Sequence, residues 1–134
     1  MELQTPDQPQ SIRIALLCEN PRVYRSLGPR LAADSAFEVV GTLDCVIDRV
    51  PEAIATRPDV IILGISHITH FNMLVCSAIR QADPNVCVVI LPSFAYDSTE
   101  LQMATEAGAS TVILKNIDTP ALVEQIRALV KRKD

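Results

Sequence analysis

Five short apolar runs alternate with amphipathic stretches along the whole chain, and this rhythm sets the fold class. Residues 12–17 (IRIALL), 37–43 (FEVVGTL), 60–63 (VIIL), 86–91 (VCVVIL) and 111–114 (TVIL) are short and rich in β-branched residues. Both features favour strands over helices. The runs at 60 and 86 are apolar at every position, as parallel strands covered on both faces must be. The run at 37 is interrupted by Glu38, Gly41 and Thr42, which suits an edge strand. One strand followed by one helix, five times over, predicts right-handed crossovers and a doubly wound parallel sheet with helices on both faces. With 49% apolar residues in 134, but only two tyrosines, three phenylalanines and no tryptophan, a single aliphatic core is expected.

Helix signals occupy the intervening stretches. Asn20-Pro21 and Thr119-Pro120 each pair an N-cap with proline at the first helical position. Asp97 and Glu100 have capping-box spacing, and Gly108 can end that helix. Phe71, Leu74, Val75, Ala78 and Ile79 fall on one helical stripe, as do Leu122, Ile126, Leu129 and Val130. Gly28-Pro29 lies inside the first predicted helix, residues 21–33. A mid-helix proline costs about 3 kcal/mol, so a kink or an irregular turn is expected near Arg25. Pro51 is tolerable in the second helix if Asp48 caps it.

Several function classes are excluded or weakened. No apolar run reaches the length of a membrane span. Residues 1–10 are polar and acidic with no basic-then-apolar signal, and read as a disordered leader to a domain at 11–134 in a cytosolic protein. Net charge is −4, and the only basic cluster is Lys131-Arg132-Lys133, so no nucleic-acid footprint is expected in this domain. Cys18, Cys45, Cys76 and Cys87 lack C-x-x-C spacing and read as buried reduced thiols. There is no G-x-G or G-K-[ST] loop for a nucleotide. Ser66 and Ser93 have no histidine–carboxylate pair to activate them, which argues against an enzyme. His67 and His70 are weak metal-ligand candidates beside the plainer reading of exposed loop histidines.

Ligands in such sheets bind beyond the carboxyl ends of the strands. Gathered there are Cys18, Glu19 and Asn20, then Gly64, Ile65 and Ser66, then Pro92 and Ser93, then Lys115. The stretches RPDVIILGIS, ATEAGASTVILK, SIRIALLCENPRVYRSL and AIRQADPNVCVVIL resemble those of response-regulator receiver domains, most closely the nitrate-regulator (NarL/LuxR) type. The resemblance runs without gaps from about Ser11 to Val130. It implies a flavodoxin-like, CheY-like fold with sheet order 2-1-3-4-5 and a role in two-component signalling. It also implies a phosphorylation pocket. In the family an aspartate ending the third strand takes the phosphoryl group. Two acids after the first strand hold Mg²⁺, and a Ser/Thr and a Lys contact phosphoryl oxygens.

Carried over position by position, that pocket is vestigial. Gly64 stands at the acceptor, Cys18 and Glu19 at the acid pair, and Pro92 at the hydroxyl, with Ser93 adjacent. Ile68 stands at the usual proline and Val112 at the aromatic switch, and Lys115 alone is intact. Three carboxylates around one lysine favour a hard cation, whereas Glu19 and Lys115 balance each other. No specific Mg²⁺ site and no other cofactor is therefore expected. A Glu19–Lys115 ion pair is one reading of the remaining charges; simple solvation is the other. The chain is expected to be a non-phosphorylatable receiver acting through protein contacts. By resemblance its contact face is residues 98–107, 111–114 and 120–131, docking a partner, its own output domain or a second copy. Two alternatives stand beside this. The chain can be the N-terminal part of a helix-turn-helix transcription regulator. Or the emptied pocket, less polar and roomier without the aspartate, can sense a small ligand or use a Cys18 thiol activated by Lys115.

Overall fold

A computed structural model describes residues 11–133; the expected leader at 1–10 and residue 134 lie outside the described residues. The elements are β1 (Ile12–Cys18), α1 (Leu27–Ala32), β2 (Phe37–Asp44), α2 (Val50–Ala55, entered through a 3₁₀ turn at Ile47–Arg49), β3 (Val60–Ile65), α3 (His70–Ala82), β4 (Cys87–Pro92), α4 (Ser98–Glu106), β5 (Thr111–Val112) and α5 (Thr119–Lys133). The five strands form one parallel sheet in the order β2-β1-β3-β4-β5. β2 is an edge strand, as its mixed composition predicts. It carries a bulge, since Ile14 pairs with Val39 but Ala15 with Gly41, leaving Val40 unpaired.

Every residue of β3 and β4 is buried. Alternation splits the core into two layers. Ile61, Leu63 and Ile65 pack with Val88 and Ile90 beneath α2–α4. Val60, Ile62, Val89 and Leu91 pack with Leu31, Leu122 and Ile126 of α1 and α5. Each fully buried Leu or Ile contributes about 1.5–3 kcal/mol, so this aliphatic sandwich dominates stability.

The structure amends several local expectations. α1 begins only at Leu27, and residues 21–26 are irregular turns. Pro29 thereby becomes the third helical residue, where its missing N–H breaks no bond. Asn20 does not cap a helix; its Oδ1 accepts from Arg22 N in a local turn. α2 is preceded by Arg49, not capped by Asp48, and Pro51 lies in its first turn. α5 is capped by Asp118, whose Oδ1 accepts from Ala121 N, with Thr119 already helical. β5 is two residues long rather than four.

The α3 stripe is displaced by one position. Its buried side is Asn72, Met73, Val75, Cys76 and Ile79, whereas Phe71 and Leu74 are 67% and 54% exposed. Helical spacing identifies a face but not which edge of it meets the sheet. The α4 capping box forms as expected, Asp97 and Glu100 each accepting from the other's backbone N–H. Gly108 follows that helix at φ +104°, a conformation that favours glycine. The Arg80 guanidinium donates to the carbonyls of Gly108, Val86 and Pro84, fastening the end of α3 to this turn.

Candidate functional site

The carboxyl ends of β1, β3 and β4 meet around Gly64. Gly64 pairs with Cys18 of β1 and Leu91 of β4 and lies inside β3, which runs two residues further than its apolar run. Its missing side chain would point toward the α1 side of the sheet, where Tyr24 lies. A Cβ built at Gly64 would come 2.8–2.9 Å from three carbons of the Tyr24 ring, closer than real contacts allow. Glycine is present here for close approach of another group.

Tyr24 is 4% exposed. Its hydroxyl lies 2.7 Å from both the Ile65 and Leu91 carbonyl oxygens, so one phenolic proton is shared between the ends of β3 and β4. Ser93 Oγ lies 3.0 Å from the same oxygen. The Lys115 ammonium sits 5.7 Å above the ring centroid, a cation–π contact of about 0.5–1 kcal/mol. Burial pushes the Tyr24 pKa up, and the Ser93 hydrogen bond opposes that shift.

The expected emptied pocket is therefore filled. Tyr24 occupies the volume above Gly64, and the space remaining between it, Leu91 and Lys115 is about 10 Å³, no more than a water molecule needs. This overturns the expectation of a roomier pocket. The helix-breaking Gly28-Pro29 explains how. With α1 shortened, the turn before it carries Tyr24 over the sheet. Sequence reasoning missed Tyr24, although a glycine within a strand and a tyrosine in the segment the proline forces out of the helix were both legible.

The remaining site residues fall as follows. Ser93, not Pro92, presents the hydroxyl; Pro92 ends β4, and its carbonyl accepts from Lys115 N. Glu19 turns toward β3, where one carboxylate oxygen accepts from Ser66 N at 2.9 Å and its own N–H donates to Gly64 O. The Glu19–Lys115 ion pair is not among those formed by the described residues, because the two side chains engage different partners. His67 stacks on Phe94 at 4.8 Å. No three His, Cys, Asp or Glu among the described residues converge as metal ligands. Ile68 is buried, and Val112 is half-buried on β5.

All four cysteines are buried as thiols rather than in disulfides. Lys115 does not activate Cys18. Burial, with Asp44 adding to it, pushes the Cys18 thiol up to about 11. Cys45 is pushed up to about 12 and Cys76 to about 11, again chiefly by burial. The unfolded chain, with thiols near 9, releases these protons first as pH rises. Stability is then fully present below about pH 9 and falls progressively through pH 11–12, by up to about 1.4 kcal/mol per pH unit for each thiol. Thermal melts across that range are expected to show the decline, and Cys45→Ala to make it shallower.

Comparison with known proteins agrees with this architecture. The signal receiver domain of NarL from Mycobacterium tuberculosis superposes with a TM-score of 0.79 at 19% identity, over 92% of this chain and 98% of that one. The response-regulator domain of Thermotoga maritima CheB gives 0.77 at 21% identity, covering 91% and 98%. In sequence, the transcriptional regulatory protein PrrA of Mycobacterium leprae is 32% identical over 126 residues, 92% of this chain and 52% of PrrA. The DNA-binding transcriptional activator DevR/DosR of M. tuberculosis is 28% identical over 116 residues, covering 87% and 53%. The chain is a response-regulator receiver domain. No family model matches it. This receiver spans about half the length of the curated relatives it matches. No helix among its described residues is long and apolar enough to cross a membrane.

Proposed function

We propose that this receiver domain signals without accepting phosphate at the usual position, and that it acts through protein contacts in a two-component-type pathway. The observation that carries the reading is Tyr24 seated on Gly64. The acceptor position has no carboxylate, and a buried aromatic ring covers the place where one would stand. Glu19, the one acid kept from the family's pair, already spends an oxygen on Ser66 N, which disfavours a Mg²⁺ site. On this reading the domain is not an enzyme and carries no cofactor. A ligand shifts a two-state equilibrium only by binding one state better. With Tyr24 as a built-in occupant the domain rests in one state, and its output is set by what docks on it.

The face made by α4, β5 and α5 is our candidate contact surface, by resemblance to the family; Leu101 on α4 gives it an exposed apolar anchor. The relatives named as transcriptional regulators are about twice as long as the region matched. This supports a second reading, in which the domain regulates a DNA-binding half that follows it. Gene length discriminates the two.

The decisive experiment is incubation with acetyl phosphate and Mg²⁺, followed by intact-mass analysis, with beryllofluoride as a parallel probe by NMR. Unchanged mass and unchanged spectra are expected. A stoichiometric phosphoryl adduct, on Glu19 or any neighbour of Gly64, would overturn the reading.

A further inference from the structure

The open space at the carboxyl edge of the sheet lies beside the filled pocket rather than in it. A cavity of about 320 Å³ sits over the ends of β1 and β2. That is the lower end of the size range of small-molecule sites, and it lies beyond the carboxyl ends of the strands, the edge on which open α/β sheets bind ligands, beside the β1/β3 switch point rather than at it. Pro21, Leu43 and the Tyr24 ring supply apolar walls, and Asp44, Arg49 and Glu52 supply charge. These charges are not equivalent. Arg49 Nη1 is engaged with Glu52 Oε1 at 2.8 Å, so that pair is compensated. The Asp44 carboxylate accepts no hydrogen bond and makes no ion pair among the described residues, leaving the lining with one uncompensated negative charge. Asp44 is exposed, on the open side of the cavity, while Cys18 and Tyr24 are buried at its floor.

We propose that this cavity binds a small organic amine, its ammonium on Asp44 and its apolar body against Pro21, Leu43 and the Tyr24 ring. A carboxylate ligand would meet Asp44 and find Arg49 already paired. A purely polar ligand would leave the apolar walls without a partner. Tyr24 gives such a ligand reach. It walls the cavity and also ties the ends of β3 and β4 through its hydroxyl, so an occupant presses on the side chain that joins those strands. The proposal does not rest on the absence of phosphorylation, and the two experiments are read separately.

The test uses the whole chain and benzylamine, with benzyl alcohol and benzoate as neutral and anionic counterparts. Titration followed by ¹H–¹⁵N NMR is expected to give saturable shifts in residues 42–52, with a Kd of about 1 mM or tighter. Asp44→Asn is expected to weaken benzylamine at least about tenfold. Added salt is expected to weaken it in the unaltered chain, which keeps the charge test independent of any one variant. Absence of saturation, shifts centred elsewhere, equal binding of benzyl alcohol, or indifference to both Asp44→Asn and salt would each overturn the proposal.

Discussion

Placing aspartate at position 64 is expected to unfold this domain more readily rather than create a phosphate acceptor. A Cβ there lands 2.8–2.9 Å from the Tyr24 ring. Because Tyr24 is buried and its hydroxyl is tied to β3, β4 and Ser93, the ring has no free direction in which to yield. Overpacking of this kind costs about 1–3 kcal/mol, and a carboxylate enclosed by an aromatic ring and a buried strand adds a desolvation penalty of similar size. Gly64→Asp is therefore expected to lose about 2–6 kcal/mol in urea denaturation. Gly64→Ala, which adds only the colliding carbon, is expected to lose about 1–3 kcal/mol. The decisive comparison is in a Tyr24→Ala background. There the Gly64→Ala cost is expected to shrink by more than about 1 kcal/mol, the non-additivity of residues sharing one space. If the two substitutions simply add, Tyr24 does not own the volume above Gly64.

This pairing also marks the limit of what could be read from the sequence. The two buried central strands, the edge character of β2 and the α4 capping box were all legible, because each depends on local composition or spacing; the sheet order was legible only through the family resemblance. Gly28-Pro29 correctly signalled an irregular segment near Arg25. The direction in which that segment turns was not legible. It depends on residues 40 or more positions away: the space at Gly64, the Ile65 and Leu91 carbonyls and Ser93. The same non-locality explains Glu19 and Lys115. Their charges suggested a pair, but Glu19 accepts from the backbone N–H of Ser66 and Lys115 lies over the aromatic face of Tyr24. On α3, spacing grouped Phe71 and Leu74 with Val75 and Ile79, yet the first two face outward because the helix meets the sheet through its 72–73, 75–76 and 79 edge.

Removing the Tyr24 side chain is expected to produce an effect of the same order. Tyr24→Ala takes away a buried ring and leaves a cavity between α1 and the sheet, a class of change that costs about 3–5 kcal/mol. In a domain of ordinary stability, about 5–15 kcal/mol, that is a large share of the whole. Tyr24→Phe separates the two roles of the side chain. It keeps the ring on Gly64 and the contact with Lys115, but it strips the proton shared by the Ile65 and Leu91 carbonyls and the partner of the Ser93 hydroxyl. The Ile65 carbonyl keeps Ser93 N as a donor, so the loss is that of the phenol's own hydrogen bonds, about 0.5–1.5 kcal/mol each. The expected order of urea midpoints is therefore unaltered chain, Tyr24→Phe, Tyr24→Ala. Hydrogen exchange should localise the Tyr24→Phe loss to the ends of β3 and β4, where Ser93 N donates to Ile65 O and Phe94 N to Ser66 O. A Tyr24→Phe variant as stable and as protected as the parent would mean that the ring merely fills space. A variant that loosens those two strand ends while keeping its core protected would identify the phenol as the cross-link between the ends of β3 and β4.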